Sequence, residues 1–356
     1  KEKEMVKKIA VLPGDGIGPE IIEEALRVLG SVEKKFKCKF ELTFGDIGAK
    51  AIEKTGNPLP KKTVEICVGS DSVLFGAIGD PKYDNDPNAK LRPEQGLLGI
   101  RKELGLFCNI RPVKMFESLI ERSTLKNEIV RNIDFTIFRE LTGGIYYGEK
   151  KLSGDKNTAS DLCIYSKDEI VRISHEAFKA ARNRKNKITL VDKANVMESS
   201  RLWRRVVKSL HEKKYKDVNL NYLLVDNAAM QMVINPAQFD VILTSNLFGD
   251  IISDIGSVVG GSIGLLPSAS VGKKSALFEP IHGSYPEGKN KGIANPIAMI
   301  LSAGLMLRYL KLSGPANSIS KAVDLAIQNR KGTPDIFPDS NYTTSDVGKY
   351  IADNIY

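Results

Sequence analysis

The 356-residue chain is 42% hydrophobic and 27% charged, with 52 Lys and Arg against 43 Asp and Glu for a net charge of +9. That is an ordinary soluble composition, with room for one large or two medium domains. The positive excess is scattered and lacks the basic stripe with interleaved aromatics that a nucleic-acid binder needs. No uncharged apolar run approaches the ~18–20 residues that span a bilayer. A cytoplasmic protein with neither a membrane nor a nucleic-acid partner is expected. Cys38, Cys67, Cys108 and Cys163 show no CxxC or other ligand spacing and read as reduced, buried thiols. Met5 reads as the biological start, which makes Lys1-Glu2-Lys3-Glu4 an addition.

In chain order, residues 8–12 predict a strand, and Gly14, Gly16 and Gly18 follow in a tight loop. Pro19 and Glu20 suit the first turn of a helix over residues 21–29. Strand, glycine loop and helix together suggest backbone amides offered to an anionic group. The spacing is G-x-G-x-G, not the G-x-G-x-x-G of a dinucleotide fold. Residues 39–44 predict a strand, after which Asp46 makes a poor ribose ligand. Residues 73–79 predict a buried strand, and residues 80–93 a polar loop with prolines. Pro93 then opens a helix on which Glu94, Leu97, Leu98 and Arg101 share one face. That stripe suits a ligand apolar at one end and carboxylated at the other; an amphipathic helix with charged edges accounts for it equally well.

Arg111 follows in a second basic site, and Arg139 sits near the end of a strand predicted over residues 135–140, before a sharp turn over residues 141–148. Arg101, Arg111 and Arg139 acting together make a bidentate carboxylate clamp; singly, each reads as a surface residue. Residues 149–165 alternate and are polar, which predicts a projecting hairpin or arm. Residues 166–182 predict an amphipathic helix with His175 structural. The strand over residues 188–195 runs into a loop carrying Lys193, whose ammonium can transfer a proton if desolvation lowers its pKa. A helix over residues 199–210 and a strand over residues 221–226 follow, the strand ending on Asp226, a possible metal ligand.

Residues 240–244 predict another buried strand, with Ser245 and Asn246 capping a helix from Leu247. On it Asp250 and Asp254 share a face, with Cβ atoms roughly 5–6 Å apart. Phe248, Ile251, Ile252 and Ile255 leave those acids little free surface. A solvated acidic face accounts for the pair taken alone; with those neighbours a hard divalent cation held by oxygens is the sharper reading. Residues 256–267 are glycine-rich and suit a crossing between domains. Residues 277–287 read as one long loop, on which His282 is either structural or a cofactor contact. An apolar helix over residues 297–310 and a short terminal helix complete an alternation that argues for α/β architecture.

Several segments together carry a resemblance. They are the Gly14 loop, Arg139-Glu140-Leu141-Thr142-Gly143-Gly144-Ile145-Tyr146, Asp192-Lys193-Ala194-Asn195-Val196, Asn246 to Asp254, and Gly292-Ile293-Ala294-Asn295-Pro296. In this order they closely resemble the β-decarboxylating hydroxy-acid dehydrogenases of the isocitrate/isopropylmalate dehydrogenase family, and within it the isopropylmalate-oxidising branch. The resemblance covers nearly the whole chain from Met5 on. It implies a two-domain α/β fold with a mixed, mainly parallel sheet flanked by helices, not a Rossmann domain. One domain would combine residues 1–106 with 261–356 on the cofactor side. Residues 107–260 would form the other, with the substrate and metal groups, the dimer contacts and the arm. A homodimer whose active sites lie in a cleft and draw on both subunits is implied as well.

The implied reaction is oxidation of the 2-hydroxyl of the small-molecule substrate (2R,3S)-3-isopropylmalate by NAD, then loss of the β-carboxylate. The product is 2-oxoisocaproate, the keto precursor of leucine. The resemblance assigns Arg101, Arg111 and Arg139 to the malate carboxylates. It assigns Asp250 and Asp254, with Asp226 of the partner subunit, to Mg2+ or Mn2+. Lys193 of the partner subunit would take the hydroxyl proton, and Tyr146 would protonate the enol carbon. Glu94, Leu97 and Leu98, with Val196 of the partner subunit, match the pocket for the isopropyl group. Isocitrate-specific relatives carry polar residues where Leu97 and Leu98 stand, because leucines against a third carboxylate would leave it unpaired. A sibling activity on tartrate, D-malate or homoisocitrate shares every catalytic group and stays the alternative. Cofactor contacts fall on Glu279, His282, Gly283, Ser284, Glu287 and Asn295. Here the chain departs from the family's Gly-Ser-Ala-Pro-Asp: Tyr285 replaces Ala, Glu287 replaces Asp, and Lys289-Asn290 stand in place of smaller residues. Glu287 can still accept two ribose hydrogen bonds and repel a 2′-phosphate, which favours NAD over NADP.

Overall fold

The computed structural model describes residues 5–86 and 89–356. Residues 1–4, read above as an addition, and Pro87 and Asn88 of the predicted 80–93 loop lie outside the described residues. The chain divides into two compact units: Lys1–Leu106 with Phe116–Arg122 and Gly261–Tyr356, and Phe107–Met115 with Ser123–Gly260. The sheet in each is mixed and mainly parallel, with helices packed on it, as the α/β reading expects.

In the first unit, strand Met5–Gly14 lies between Cys38–Phe44 and Ser72–Ala77 and is parallel to both. Ala276–Pro280 adds parallel to Ser72–Ala77, and Pro267–Val271 is antiparallel to Ala276–Pro280. Ile9 to Leu12 and every residue of Ser72–Ala77 are buried, the continuous apolar run that a sheet covered on both faces requires. Helix Gly18–Lys35 buries Ile21, Ile22, Ala25, Val28, Leu29 and Val32 at helical spacing, with proline in its first turn. Helix Ile297–Tyr309 is apolar nearly all round and correspondingly buried. Phe116–Arg122 joins this unit through buried Leu119 and through Arg122, whose guanidinium lies 5.7 Å from the Phe337 ring centre.

Two expectations change here. Residues 277–287 are not one loop, because Ala276–Pro280 is a fully buried strand; a short apolar run without alternation gave no periodic signal. The glycine loop spends its amides internally. Asp15 N donates to Ala77 O at 2.9 Å, Ile17 N to Ser284 O at 2.8 Å and Gly18 N to Asp15 O at 2.9 Å. Glycine is needed there for close approach: a Cβ on Gly14 would sit 1.9 Å from Ala77 O, and one on Gly16 2.0 Å from Ser284 O. The Asp15 carboxylate is itself the anion, accepting from Ala49 N at 3.0 Å and from Lys50 N and Gly79 N at 3.1 Å. Asp46 pairs with Lys54 at 2.7 Å and Lys50 at 3.4 Å.

In the second unit, Lys187–Asp192 lies between Val241–Thr244 and Asn219–Leu224, all parallel. Asp134–Glu140 continues parallel to Val241–Thr244, and Cys108–Lys114 is antiparallel to Asp134–Glu140. Helix Lys167–Arg182 opens on a capping box between Ser166 and Glu169. His175 on it is structural as read, its Nδ1 meeting Tyr215 Oη at 2.7 Å. The predicted arm is a hairpin of Lys150–Leu152 and Ala159–Asp161, with all six residues exposed. Asp226 does not end a strand; it stands in the first turn of helix Val225–Ile234. Helix Asn246–Val259 begins one residue early, and Ser245 at its N-cap makes no side-chain cap. Asn246 is drawn instead to Arg139, which competes for its side-chain oxygen. Among the described residues no helix is long and apolar enough to cross a membrane.

Candidate functional site

Asp250 is where three predicted site residues of the second unit meet. Its Oδ1 accepts from Arg139 Nη1 and lies 3.7 Å from Arg111 Nη1; its Oδ2 accepts from Tyr146 Oη at 2.8 Å. Both guanidiniums are buried and fixed from behind. Arg139 donates to Asn246 Oδ1 through Nε at 3.0 Å and Nη2 at 2.8 Å. Arg111 donates to Asn109 Oδ1 at 2.6 Å and Ser253 Oγ at 2.5 Å. Such held forks suit a carboxylate, because little rotamer entropy remains to be lost on binding.

The turn that presents Tyr146 is anchored by Glu140, which is fully buried. Its carboxylate accepts from Gly143 N at 2.7 Å, Thr142 N at 3.2 Å and Arg172 Nη2 at 3.0 Å. Gly144 has φ +76°, and a Cβ there would lie 2.3 Å from Tyr165 Oη, so only glycine lets the chain turn against that ring. Burial first, and Asp250 second, push the Tyr146 phenol up to about 12. It therefore stays protonated and able to donate.

One helical turn on, Asp254 is exposed, yet local desolvation pushes its carboxyl upward, with Asp250 adding to the shift and Arg111 opposing it. Lys193 and Asp226, one and two residues past the ends of adjacent strands, pair with each other at 2.9 Å. That hydrogen bond draws the Asp226 carboxyl below its usual range. Among the described residues no three His, Cys, Asp or Glu side chains converge as a metal cage; Asp226 does not join Asp250 and Asp254 within one chain. Val196, three residues beyond Lys193, is 66% exposed.

In the first unit, helix Glu94–Glu103 carries Glu94, Leu97 and Leu98 half-buried and Arg101 buried. Arg101 Nη2 donates to Glu279 Oε1 at 2.8 Å. A largely apolar cavity of about 760 Å³ lies in the same unit, walled by Ile263, His282, Gly283, Tyr285, Asn295 and Asp335 among others. Asn295 Nδ2 donates to Asp335 Oδ2 at 3.1 Å. His282 Nδ1 lies 2.9 Å from the Gly283 carbonyl, so Nδ1 carries the proton and Nε2 is an acceptor. Burial lowers this imidazole's pKa, and Nε2 is shielded from solvent without a partner among the described residues. Ser284 contributes its carbonyl to Ile17, and Glu287 is exposed on the turn Pro286–Gly288. Glu279 and Glu287 are not part of the cavity wall.

Residues 8–351 match the sequence profile described as isocitrate/isopropylmalate dehydrogenase. The chain belongs to the isocitrate/isopropylmalate dehydrogenase family. It is 49% identical over 350 residues to a 3-isopropylmalate dehydrogenase of Bacteroides fragilis, covering 98% of both chains. It is 50% identical over 354 residues to one of Aquifex aeolicus, covering 98% of this chain and 97% of that one. Of solved structures, isocitrate dehydrogenase from Methylococcus capsulatus superposes with a TM-score of 0.89 at 32% identity, over 98% of this chain and 99% of that one. An apo β-decarboxylating dehydrogenase from Thermococcus kodakarensis gives 0.79 at 34% identity, over 98% and 96%.

Within this isocitrate/isopropylmalate dehydrogenase chain, several supporting residues were invisible to motif reading. Asn109, Glu140, Asn246 and Ser253 hold the arginines and the tyrosine turn. The one signal available was position: Glu140 lies inside a quoted motif and Asn246 heads another.

Proposed function

We propose that the chain oxidises (2R,3S)-3-isopropylmalate with NAD and decarboxylates the product to 2-oxoisocaproate, in leucine biosynthesis. The observation that carries this reading is the grouping of Arg111, Arg139 and Tyr146 around Asp250, with Asp254 one turn away. Arg111 and Arg139, with Arg101, bind the malate carboxylates and orient the hydroxyl. Lys193 of the partner subunit accepts the hydroxyl proton. The bond to the β-carboxylate breaks as CO2 leaves, and Tyr146 delivers a proton to the enol carbon. Leu97 and Leu98, backed by Glu94 and by Val196 of the partner subunit, enclose the isopropyl group.

Two bound groups belong to this reading, and the donor sets suit both. Asp250, Asp254 and Asp226 of the partner subunit offer the oxygen ligands that Mg2+ or Mn2+ takes. When bound, that cation supplies Lewis acidity to the substrate's hydroxyl and carbonyl oxygens. The orphaned His282 Nε2 and the apolar walls of its cavity suit a flat heteroaromatic ring with an N–H donor, as in NAD, the hydride acceptor. Gly283 and Asn295 line that cavity, Ser284 and Glu279 are further cofactor contacts of this reading, and Glu287 favours NAD by repelling a 2′-phosphate.

A homodimer with shared sites is part of the proposal. Met230, Val233 and Ile234 on helix Val225–Ile234 are exposed, as are Ile251 and Val258 on helix Asn246–Val259, which packs against it. Apolar side chains grouped in this way are what a second copy covers. Cytoplasmic residence accords with Cys38, Cys67 and Cys108, which are buried free thiols.

NADH absorbance with isopropylmalate, with and without Mg2+, tests the reading. Turnover that needs the cation and prefers isopropylmalate in kcat/KM supports it. A preference for D-malate or isocitrate would replace it with the sibling activity.

A further inference from the structure

The loop carrying Lys193 is clamped from one side. Asp192, the last residue of strand Lys187–Asp192, is 2% exposed. Arg204, less than two turns along helix Glu198–Lys214 from its start at this loop, grips that carboxylate with both arms of its fork. Nε donates to Oδ2 and Nη2 to Oδ1, each at 2.8 Å. Asp192 Oδ1 also accepts from Ala194 N at 3.0 Å, and Ser200 Oγ accepts from Lys193 N at 3.0 Å. The Arg204 guanidinium lies 5.1 Å from the ring centre of Tyr222 on the neighbouring strand. That strand, Asn219–Leu224, is in register with Lys187–Asp192, with Asp192 opposite Leu224. Lys193 and Asp226 leave the ends of these two strands and meet at 2.9 Å.

From this geometry we infer that Arg204 is a positioning residue: through Asp192 and Tyr222 it fixes the backbone at Lys193 and its spacing from Asp226. The inference rests on the reading of Lys193 as the proton acceptor. A bidentate guanidinium on a buried carboxylate sets both distance and plane, which a point charge cannot do. Without it, Asp192 is a buried anion with a single backbone donor, and the residue that follows it is free to shift. Proton transfer needs hydrogen-bond reach, and small displacements of a reacting group are costly even when binding is untouched.

The test uses the whole 356-residue chain in its native assembly and compares Arg204→Met, Arg204→Lys and Lys193→Ala. Arg204→Met is expected to lower kcat about tenfold to a hundredfold, with KM for isopropylmalate and NAD within about twofold of the parent. Arg204→Lys keeps the charge without the fork and should recover only part of that loss. Arg204→Lys also serves as the folded control if Arg204→Met is unstable. The inference is overturned if Arg204→Lys restores full kcat, if kcat of folded Arg204→Met stays at the parent value, or if its loss follows the folded fraction alone. Loss of turnover in Lys193→Ala with normal turnover in Arg204→Met removes only this inference. Normal turnover in Lys193→Ala removes the reading beneath it.

Discussion

Tyr146 and Asp250 stand 104 residues apart in the chain and meet at 2.8 Å, with the phenol as donor. Arg139 occupies the other carboxylate oxygen and lies 5.8 Å from the Tyr146 ring centre. The tyrosine is therefore held by its ring and its hydroxyl at once. Replacing it by phenylalanine removes the transferable proton and keeps the packing. Tyr146→Phe should lower kcat about 100-fold, the usual scale for a general acid, with thermal stability close to the parent. Stopped-flow and steady-state NADH formation from isopropylmalate provide the check, and turnover within about twofold of the parent would exclude Tyr146 as the acid.

The proposal that active sites are shared between two copies makes an arithmetic prediction. Lys193→Ala and Asp250→Asn chains should each be inactive as homodimers. Unfolded together and refolded, they form mixed dimers in which one site pairs an intact Asp250 with an intact Lys193. Random pairing restores about a quarter of parental activity. No recovery from properly mixed dimers would mean that each chain builds its site alone.

The apolar faces of helices Val225–Ile234 and Asn246–Val259 predict a separable effect. Ile251 is 52% exposed and Met230 56% exposed in the single chain. Ile251→Asp should cost that chain little stability, because the new charge stays solvated, yet split the dimer by burying an unpaired charge in its contact. Light scattering after size exclusion reads the mass directly; a dimer of unchanged affinity would move the interface elsewhere.

Asp15 gives a pH-dependent prediction. Burial pushes its carboxyl above 3.8, against hydrogen bonds from Ala49, Gly79 and Lys50. The folded pKa is thus higher than the unfolded one, so the native state binds the proton more tightly. Its titration contributes stability below pH 3.8 that is lost as pH rises through the folded value. Asp15→Asn cannot titrate, so the parent should gain stability relative to it on going from about pH 7 to about pH 4. Urea midpoints at the two pH values measure this difference. Asp15→Ala, which strands three backbone donors, should cost about 2 kcal/mol or more. An opposite pH trend would contradict the assigned direction of the shift.

Much of this chain could be read from the sequence where function compressed into short motifs. Asp250 and Asp254 share one helical turn, so their spacing already suggested a cation, whereas Tyr146 took its role from the resemblance of the eight-residue stretch it shares with Arg139. The fold class followed from alternating apolar runs. Misreadings arose where the deciding partner is remote. The glycine loop looked like an anion cradle because nothing local reveals that Ala77 and Ser284 claim its amides. Ala276–Pro280 looked like loop because a strand buried on both faces has no alternation. Asn246 looked like a cap, yet Arg139, 107 residues away, takes its oxygen. Arg204 carried no signal at all, and Asp192 only its place at the head of the Asp192 to Val196 stretch, since an arginine on a helix face is ordinary until its carboxylate is placed.

The hairpin of residues 150–161 exposes all six of its paired residues, and Leu152, Leu162 and Ile164 around it are 61%, 49% and 60% exposed. A two-stranded ribbon with no covered face holds itself together only marginally in water. Its amides should therefore trade hydrogen for deuterium quickly in a lone chain and slowly once another molecule lies over them. Those dozen residues are a built-in gauge of association, readable by mass spectrometry without substrate, cation or nucleotide.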